Sequence, residues 1–198
     1  MSVFRNFRAN PKSFIHECLI DQAYSKDTLE LNFKYSSVPV FLYGQEKQGY
    51  SNDLTKKGGQ HVGVGWTVNP GLLMYQHTAL KYPIVLSDNT LLQGARVFGH
   101  LFLVSPDLLF ELDSLFQNTL FFERGTQWVT FYAPASRLDS NKTTFRAHVL
   151  FYLGIPTIWE PKMQTKEIAL LPRIKPQGST DRSGFYVYSK ANDTTLRS

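Results

Sequence analysis

Apolar residues fall in short runs broken by polar, glycine- and proline-bearing stretches, the pattern of a β-rich chain. Val38-Pro39-Val40-Phe41-Leu42-Tyr43 is almost continuously apolar and closes on Gly44, which predicts a buried strand ending in a tight turn. Trp66-Thr67-Val68 and Leu72-Leu73-Met74-Tyr75 are further short apolar runs on either side of a turn signal, Asn69-Pro70-Gly71. Ala95 to Val104 is the longest β-like run. Ser105-Pro106-Asp107 then opens a helix, with Ser105 as cap and Pro106 at the first position. Leu108, Leu109, Leu112, Leu115 and Phe116 recur at helical spacing and extend it over about 106–117. Gln127 to Tyr132 and Ala147 to Tyr152 predict two more strands.

The flanks read differently. Asn10-Pro11-Lys12-Ser13 is a helix opening, with Phe14, Cys18 and Leu19 on its apolar face, and Thr28 to Phe33 alternates at period two. Residues 45–65 are polar, carry Gly49, Gly58, Gly59, Gly63 and Gly65, and predict a loop-rich stretch. Residues 161–198 are rich in Pro, Gly, Ser, Thr and Lys and predict a loosely structured tail with one strand at Phe185-Tyr186-Val187-Tyr188. The chain thus divides into an N-terminal extension (1–38), a core domain (39–160) and a C-terminal extension (161–198). Many strands around a single internal helix predict an α+β fold, a curled sheet or barrel. Strict alternation of strands and helices is missing, which argues against a doubly wound parallel sheet.

The length, 198 residues, suits one domain with extensions, and 42% hydrophobic with 14% aromatic content suffices for a sizeable core. One cysteine, Cys18, excludes an intramolecular disulfide framework. The opening MSVFRNFRANPKSF lacks the apolar run of a secretory signal, and no stretch approaches the length of a membrane-spanning helix. The chain is expected to be soluble and cytoplasmic, with no membrane contact, so Asn141-Lys-Thr and Asn192-Asp-Thr are read as chance sequons. The net charge of +5 suggests a polyanionic partner until its distribution is examined. Residues 1–38 carry +1, residues 39–160 are neutral, and residues 161–198 carry +4. An acidic partner is therefore expected at residues 161–198, and a small ligand in the core.

Several chemistries drop out. His16, His61, His77, His100 and His148 show no H-x-x-x-H spacing, and no metal or other cofactor is expected. Lys57 to Gly65 lacks both the end of a P-loop and a complete G-x-G-x-x-G, and no G-x-S-x-G elbow occurs. Phe121, Phe122, Phe131, Tyr132, Phe151 and Tyr152 sit in the neutral segment and read as core, since a single-strand binder needs basic groups beside its aromatics.

What remains is an ordered set of weak motifs. Val40-Phe41-Leu42-Tyr43-Gly44-Gln45-Glu46 is followed by Val97-Phe98-Gly99-His100-Leu101-Phe102-Leu103-Val104, Leu112-Asp113-Ser114-Leu115-Phe116, Phe122-Glu123-Arg124, and Ala147 to Tyr152. In order and spacing, over about residues 39–155, this resembles the γ-glutamylcyclotransferase-like superfamily, which includes γ-glutamylamine cyclotransferases and plant AIG2-like proteins. The resemblance implies a curled β-barrel with few helices. It also implies a reaction in which the substrate's α-amine attacks its own γ-amide carbonyl, releasing an amine and 5-oxoproline. A carboxylate must carry the proton from attacking to leaving amine. In the family this is the glutamate of Leu-Asp-x-x-Glu, and the Tyr-Gly turn holds the substrate carboxylate through backbone N–H groups.

At that glutamate's position this chain has Phe116, and Gln45-Glu46 replaces Ser/Thr-Leu. Phenylalanine cannot shuttle a proton, and losing general acid–base catalysis costs about 10²–10⁴ in rate. The expected ligand-binding set is Tyr43, Gly44, Gln45, Glu46, Phe116 and Tyr152. Glu46 and Glu123 are the substitute candidates for a catalytic acid, each with a simpler reading as a solvated loop side chain and a surface partner of Arg124. Asp113 reads as a structural hydrogen bonder and Arg124 as half of an ion pair. Three functions follow as expectations: a non-catalytic protein binding a small metabolite or peptide in the barrel pocket, a divergent cyclotransferase, or an interaction module acting on protein or nucleic acid through the basic tail.

Overall fold

The computed structural model describes residues 23–25, 28–31, 37–47, 52–79, 82–88, 94–132, 144–173 and 185–188. The helix expected from Asn10 lies outside these residues. The strands are β1 (Ala23–Ser25), β2 (Thr28–Leu31), β3 (Val38–Leu42), β4 (Gln60–Thr67), β5 (Leu72–His77), β6 (Pro83–Ser87), β7 (Arg96–Val104), β8 (Phe122–Tyr132), β9 (Thr144–Gly154), β10 (Ile168–Leu170) and β11 (Phe185–Tyr186). The α-helices are α1 (Pro106–Leu115) and α2 (Pro156–Gln164), and a 3₁₀ turn spans Leu54–Lys57.

Five strands close on themselves. β3 pairs with β7, β7 with β4, β4 with β8, and β8 with β9, all antiparallel; β9 returns to β3 in parallel. Period-two alternation then sends successive residues to opposite sides of the barrel wall. Phe41, Val62, Leu101, Leu103, Val129, Phe131, Val149 and Phe151, drawn from all five strands, form one buried cluster, which is the barrel interior. Val40, Leu42, Phe102, Val104 and Tyr152 point the other way and are covered by α1, α2 and the 3₁₀ turn through Leu108, Leu112, Trp159 and Leu54. A wall buried on both sides explains why β3 and β7 read as near-continuous apolar runs. β5, β6 and β10 form a separate antiparallel sheet of three.

Helix α1 begins as its sequence dictates: the Ser105 hydroxyl accepts from the Leu108 N–H at 3.2 Å, and Pro106 takes the first turn. It ends at Leu115 rather than 117, because Gln117 and Thr119 adopt left-handed backbone (φ 47° and 74°) and turn the chain toward β8. Each such non-glycine residue costs roughly 1 kcal/mol.

Four expectations need correction. The supposed loop over residues 45–65 ends in a strand from Gln60, part of β4. Its glycines signal close strand approach: a Cβ on Gly65 would lie 2.0 Å from the Thr130 carbonyl oxygen and 2.5 Å from the Phe131 Cα. The single internal helix becomes two, and the boundary expected at residue 160 falls inside α2. The segment expected to be a loose tail supplies β10, which pairs with β5, while the strand expected within it at Phe185–Tyr188 is present as β11, parallel to β7. Tyr186 and Tyr188 are wholly buried in the interior cluster.

Candidate functional site

The end of β3 runs into Tyr43 and Gly44. Tyr43 is buried; its hydroxyl donates to the Tyr152 carbonyl at 2.8 Å and its ring lies 5.2 Å from that of Phe151. Burial first, then the neighbouring Glu46 charge, hold the phenol far above its usual range, so it stays protonated and committed. Gly44 leaves room for Glu46 to fold back: a Cβ there would stand 2.7 Å from Glu46 Oε2 and 3.2 Å from Pro83 Cγ. The turn is fixed from below by Asn52 N–H donating to the Gln45 carbonyl (3.1 Å) and Leu54 N–H to that of Glu46 (3.0 Å). Lys47, buried, donates from Nζ to the Tyr188 carbonyl at 2.8 Å and lies 5.7 Å from the centroid of that ring.

The turn after α1 forms the facing wall. Phe116 stacks on Tyr152 with centroids 4.3 Å apart and planes within 12°, and meets Phe122 edge to face at 5.4 Å. Beneath it, the Tyr152 hydroxyl donates to Asp113 Oδ1 at 2.6 Å, and Arg124 binds Asp113 Oδ2 at 2.5 Å. Burial, followed by the Asp113 contact, raises the Tyr152 phenol well above its ordinary value. Asp113 acts as the structural hydrogen bonder that sequence reasoning expects, and Arg124 closes an ion pair as expected, but with Asp113 rather than with Glu123.

Between these walls lies a cavity of about 460 Å³. Tyr43, Gly44, Gln45, Glu46 and Asn52 form one side of it, and Leu115, Phe116, Gln117, Phe121 and Phe122 the other. His77, Tyr82 and Pro83 come from the three-stranded sheet and its edge, and Trp159 and Lys162 from α2. Five of the six residues expected to bind ligand line it. Tyr152 stands behind Phe116 and is fully buried. Glu123 is exposed and is not in the lining, whereas Glu46 is. Of the aromatics read as core, Phe122, Phe131, Phe151 and Tyr152 are buried; Phe121, at 38% exposure, sits on the cavity rim.

Sequence reasoning misses His77, Tyr82, Trp159 and Lys162. Nothing in their local spacing announces them, because the fold assembles them from α2 and the second sheet. His77 stacks on Tyr82 at 5.4 Å and meets Trp159 edge-on at 6.5 Å. Burial and the Lys162 charge lower its pKa, opposed by Glu167. Lys162 Nζ is bonded to Glu167 Oε2 at 2.7 Å. The Trp159 indole N–H donates to the Phe121 carbonyl at 2.7 Å. Elsewhere His61 Nε2 and His100 Nδ1 meet at 3.0 Å, but neither lines the cavity. Among the described residues no group of three or more His, Cys, Asp or Glu side chains is placed to hold a metal ion, and no helix is long and apolar enough to cross a membrane.

Residues 40–171 match the family described as gamma-glutamyl cyclotransferase, AIG2-like. The chain belongs to that family. The match includes both cavity walls, α2 and β10, and so runs past residue 155, where the legible motifs end. Similar solved structures include an AIG2-like protein from Mus musculus (18% identity, TM-score 0.46, 60% of this chain and 78% of that one). Another is a protein from Arabidopsis thaliana (17% identity, TM-score 0.43, 68% of this chain and 87% of that one). An allophanate hydrolase from Kluyveromyces lactis is similar over 78% of this chain but only 20% of its own (13% identity, TM-score 0.49). No curated protein matches the chain.

Proposed function

We propose that this family member is a binding protein that accepts a small metabolite or peptide in the cavity and does not catalyse cyclotransfer. One observation carries the reading. Phe116, at the position where the resemblance expects the proton-carrying glutamate, forms cavity wall and is stacked on Tyr152. Asp113 is held by Tyr152 and Arg124, and Glu167 is bound to the lining Lys162. A cavity of this volume lies within the range of small-molecule sites. Incubation with a panel of γ-glutamyl amines and peptides should release no 5-oxoproline above blank, while some member of a metabolite and peptide panel should raise the melting temperature. Turnover by the unmodified protein would overturn the reading.

A second reading rests on Glu46, the carboxylate that does line the cavity, beside Tyr43 and Gly44. In it, Glu46 serves as general base and then acid for a divergent cyclotransferase. Turnover would then fall about 10²–10⁴-fold in Glu46→Gln. Activity that survives this substitution would remove Glu46 from the role.

A further inference from the structure

We infer that the segment Phe185–Tyr188 is a strap coupled to the cavity: it docks and undocks together with the Tyr43–Lys47 turn, so that ligand occupancy and strap docking support each other. The inference rests on the binding reading above and names the regulation of that site. Residues 185–188 lie beyond the residues that match the family, yet they complete the core behind one cavity wall. Tyr186 and Tyr188 are wholly buried, in the same interior cluster as Tyr43. The backbone ladder that holds them is short: β11 pairs with β7 over two residues, Phe185 with Arg96 and Tyr186 with Val97. Docking therefore depends on side-chain burial and on the contacts made with the turn.

Lys47 joins the two. It follows Glu46, and its N–H donates to the Gly44 carbonyl at 3.4 Å, which closes the turn. It is 1% exposed, and its Nζ donates to the Tyr188 carbonyl at 2.8 Å while lying 5.7 Å from the centroid of the Tyr188 ring. An ammonium out of water needs acceptors close by, and a hydrogen bond from a charged donor is stronger than a neutral one. When the strap leaves, this acceptor and the ring leave with it, and the ammonium faces a gap in the core. Solvating the charge then means water entering the core or Lys47 moving out, and either loosens the turn. That turn carries Gly44, Gln45 and Glu46 into the cavity lining, and the Asn52 and Leu54 N–H groups hold the Gln45 and Glu46 carbonyls. The dependence is reciprocal: whatever braces the closed turn, a ligand included, favours the docked strap by the same factor.

Hydrogen exchange read by mass spectrometry on the full chain tests the coupling from both ends. Lys47→Ala alters only the turn side. It should speed exchange over residues 185–188 about tenfold relative to β8 and β9, the effect of losing one charge-assisted bond. Val187→Gly alters only the strap side: Val187 is half-buried between the two tyrosines, and glycine there loosens the backbone while keeping both rings. It should speed exchange at Asn52 and Leu54 relative to the same reference. Effects confined to the substituted side would overturn the coupling. Equal acceleration throughout the barrel would overturn it too, since that marks general destabilisation. If Lys47→Ala does not fold, the Val187→Gly arm decides alone. Both arms run without ligand, so the two readings fail separately. Cross-effects in a protein that binds no member of the metabolite and peptide panel would overturn the binding reading alone. Binding of a panel member without cross-effects would overturn the coupling alone.

Discussion

The support beneath Phe116 is a chain of three side chains, each of which can be removed separately. Tyr152→Phe deletes the hydroxyl but leaves the stacked ring, and should cost about 0.5–1.5 kcal/mol. Asp113→Ala leaves the part-buried Tyr152 hydroxyl without its acceptor and Arg124 without its partner, and should cost more, about 1–3 kcal/mol. Urea denaturation of the two variants checks the order; equal losses would mean that the Arg124 pair contributes nothing. His77 supplies a pH dependence with a definite sign. Its folded pKa lies below the ordinary value near 6.5, because burial and Lys162 disfavour the imidazolium. Between the two values the unfolded chain binds more protons, so stability falls as pH drops through that window and levels off below the folded pKa. The urea midpoint should decrease from pH 7.5 toward pH 5.5, and His77→Gln should flatten that part of the curve.

At the scale of elements, legibility followed whether the local pattern and the tertiary role agreed. β3, β7 and α1 could be read because each carries its own signal: apolar runs for a doubly covered wall, and a Ser-Pro start for the helix. β4 could not, since its glycines are there for the approach of β8 and look like loop when met singly. Gly65→Ala should therefore cost more than about 3 kcal/mol, because the new methyl meets backbone that cannot step aside. Helix α2 hid for another reason. It carries Pro161 within it, has no side-chain cap at Ile155, and buries only Trp159. Tertiary packing sustains such a helix where propensity does not. Trp159→Ala should cost about 3–5 kcal/mol and open the cavity wall at the same time, which thermal melts and ligand titration would read independently. Of the site, the Tyr43–Glu46 turn and Phe116 were legible because motif order places them; the His77–Trp159 side was not, because no spacing links β5 to α2.

At the scale of the whole molecule, the C-terminal segment changes meaning. Its charge of +4 suggests an arm for an acidic partner, and removing residues 161–198 looks like the natural test. The fold makes that test uninformative. The cut would sever α2, remove β10 from β5, and take Ile168, Leu171, Tyr186 and Tyr188 out of the two buried clusters. It would also withdraw the carbonyl that holds Lys47, the residue following the Tyr43–Glu46 turn, so the cavity would suffer with the core. The shortened chain is expected to lose its cooperative melt, which circular dichroism would show. Substituting Lys175, Arg182, Lys190 and Arg197 by Gln separates the questions, since it removes tail charge while keeping β10, β11 and the two tyrosines. Binding to an acidic partner that survived this change would not come from tail charge. The depth of the anchoring is measurable at Tyr186, whose ring is wholly buried and whose hydroxyl meets no hydrogen-bond partner among the described residues. Tyr186→Phe should be neutral or slightly stabilising, because it removes a desolvated polar group, whereas Tyr186→Ala should cost about 3–5 kcal/mol by emptying the barrel interior. A tail merely resting on the surface would make both substitutions silent.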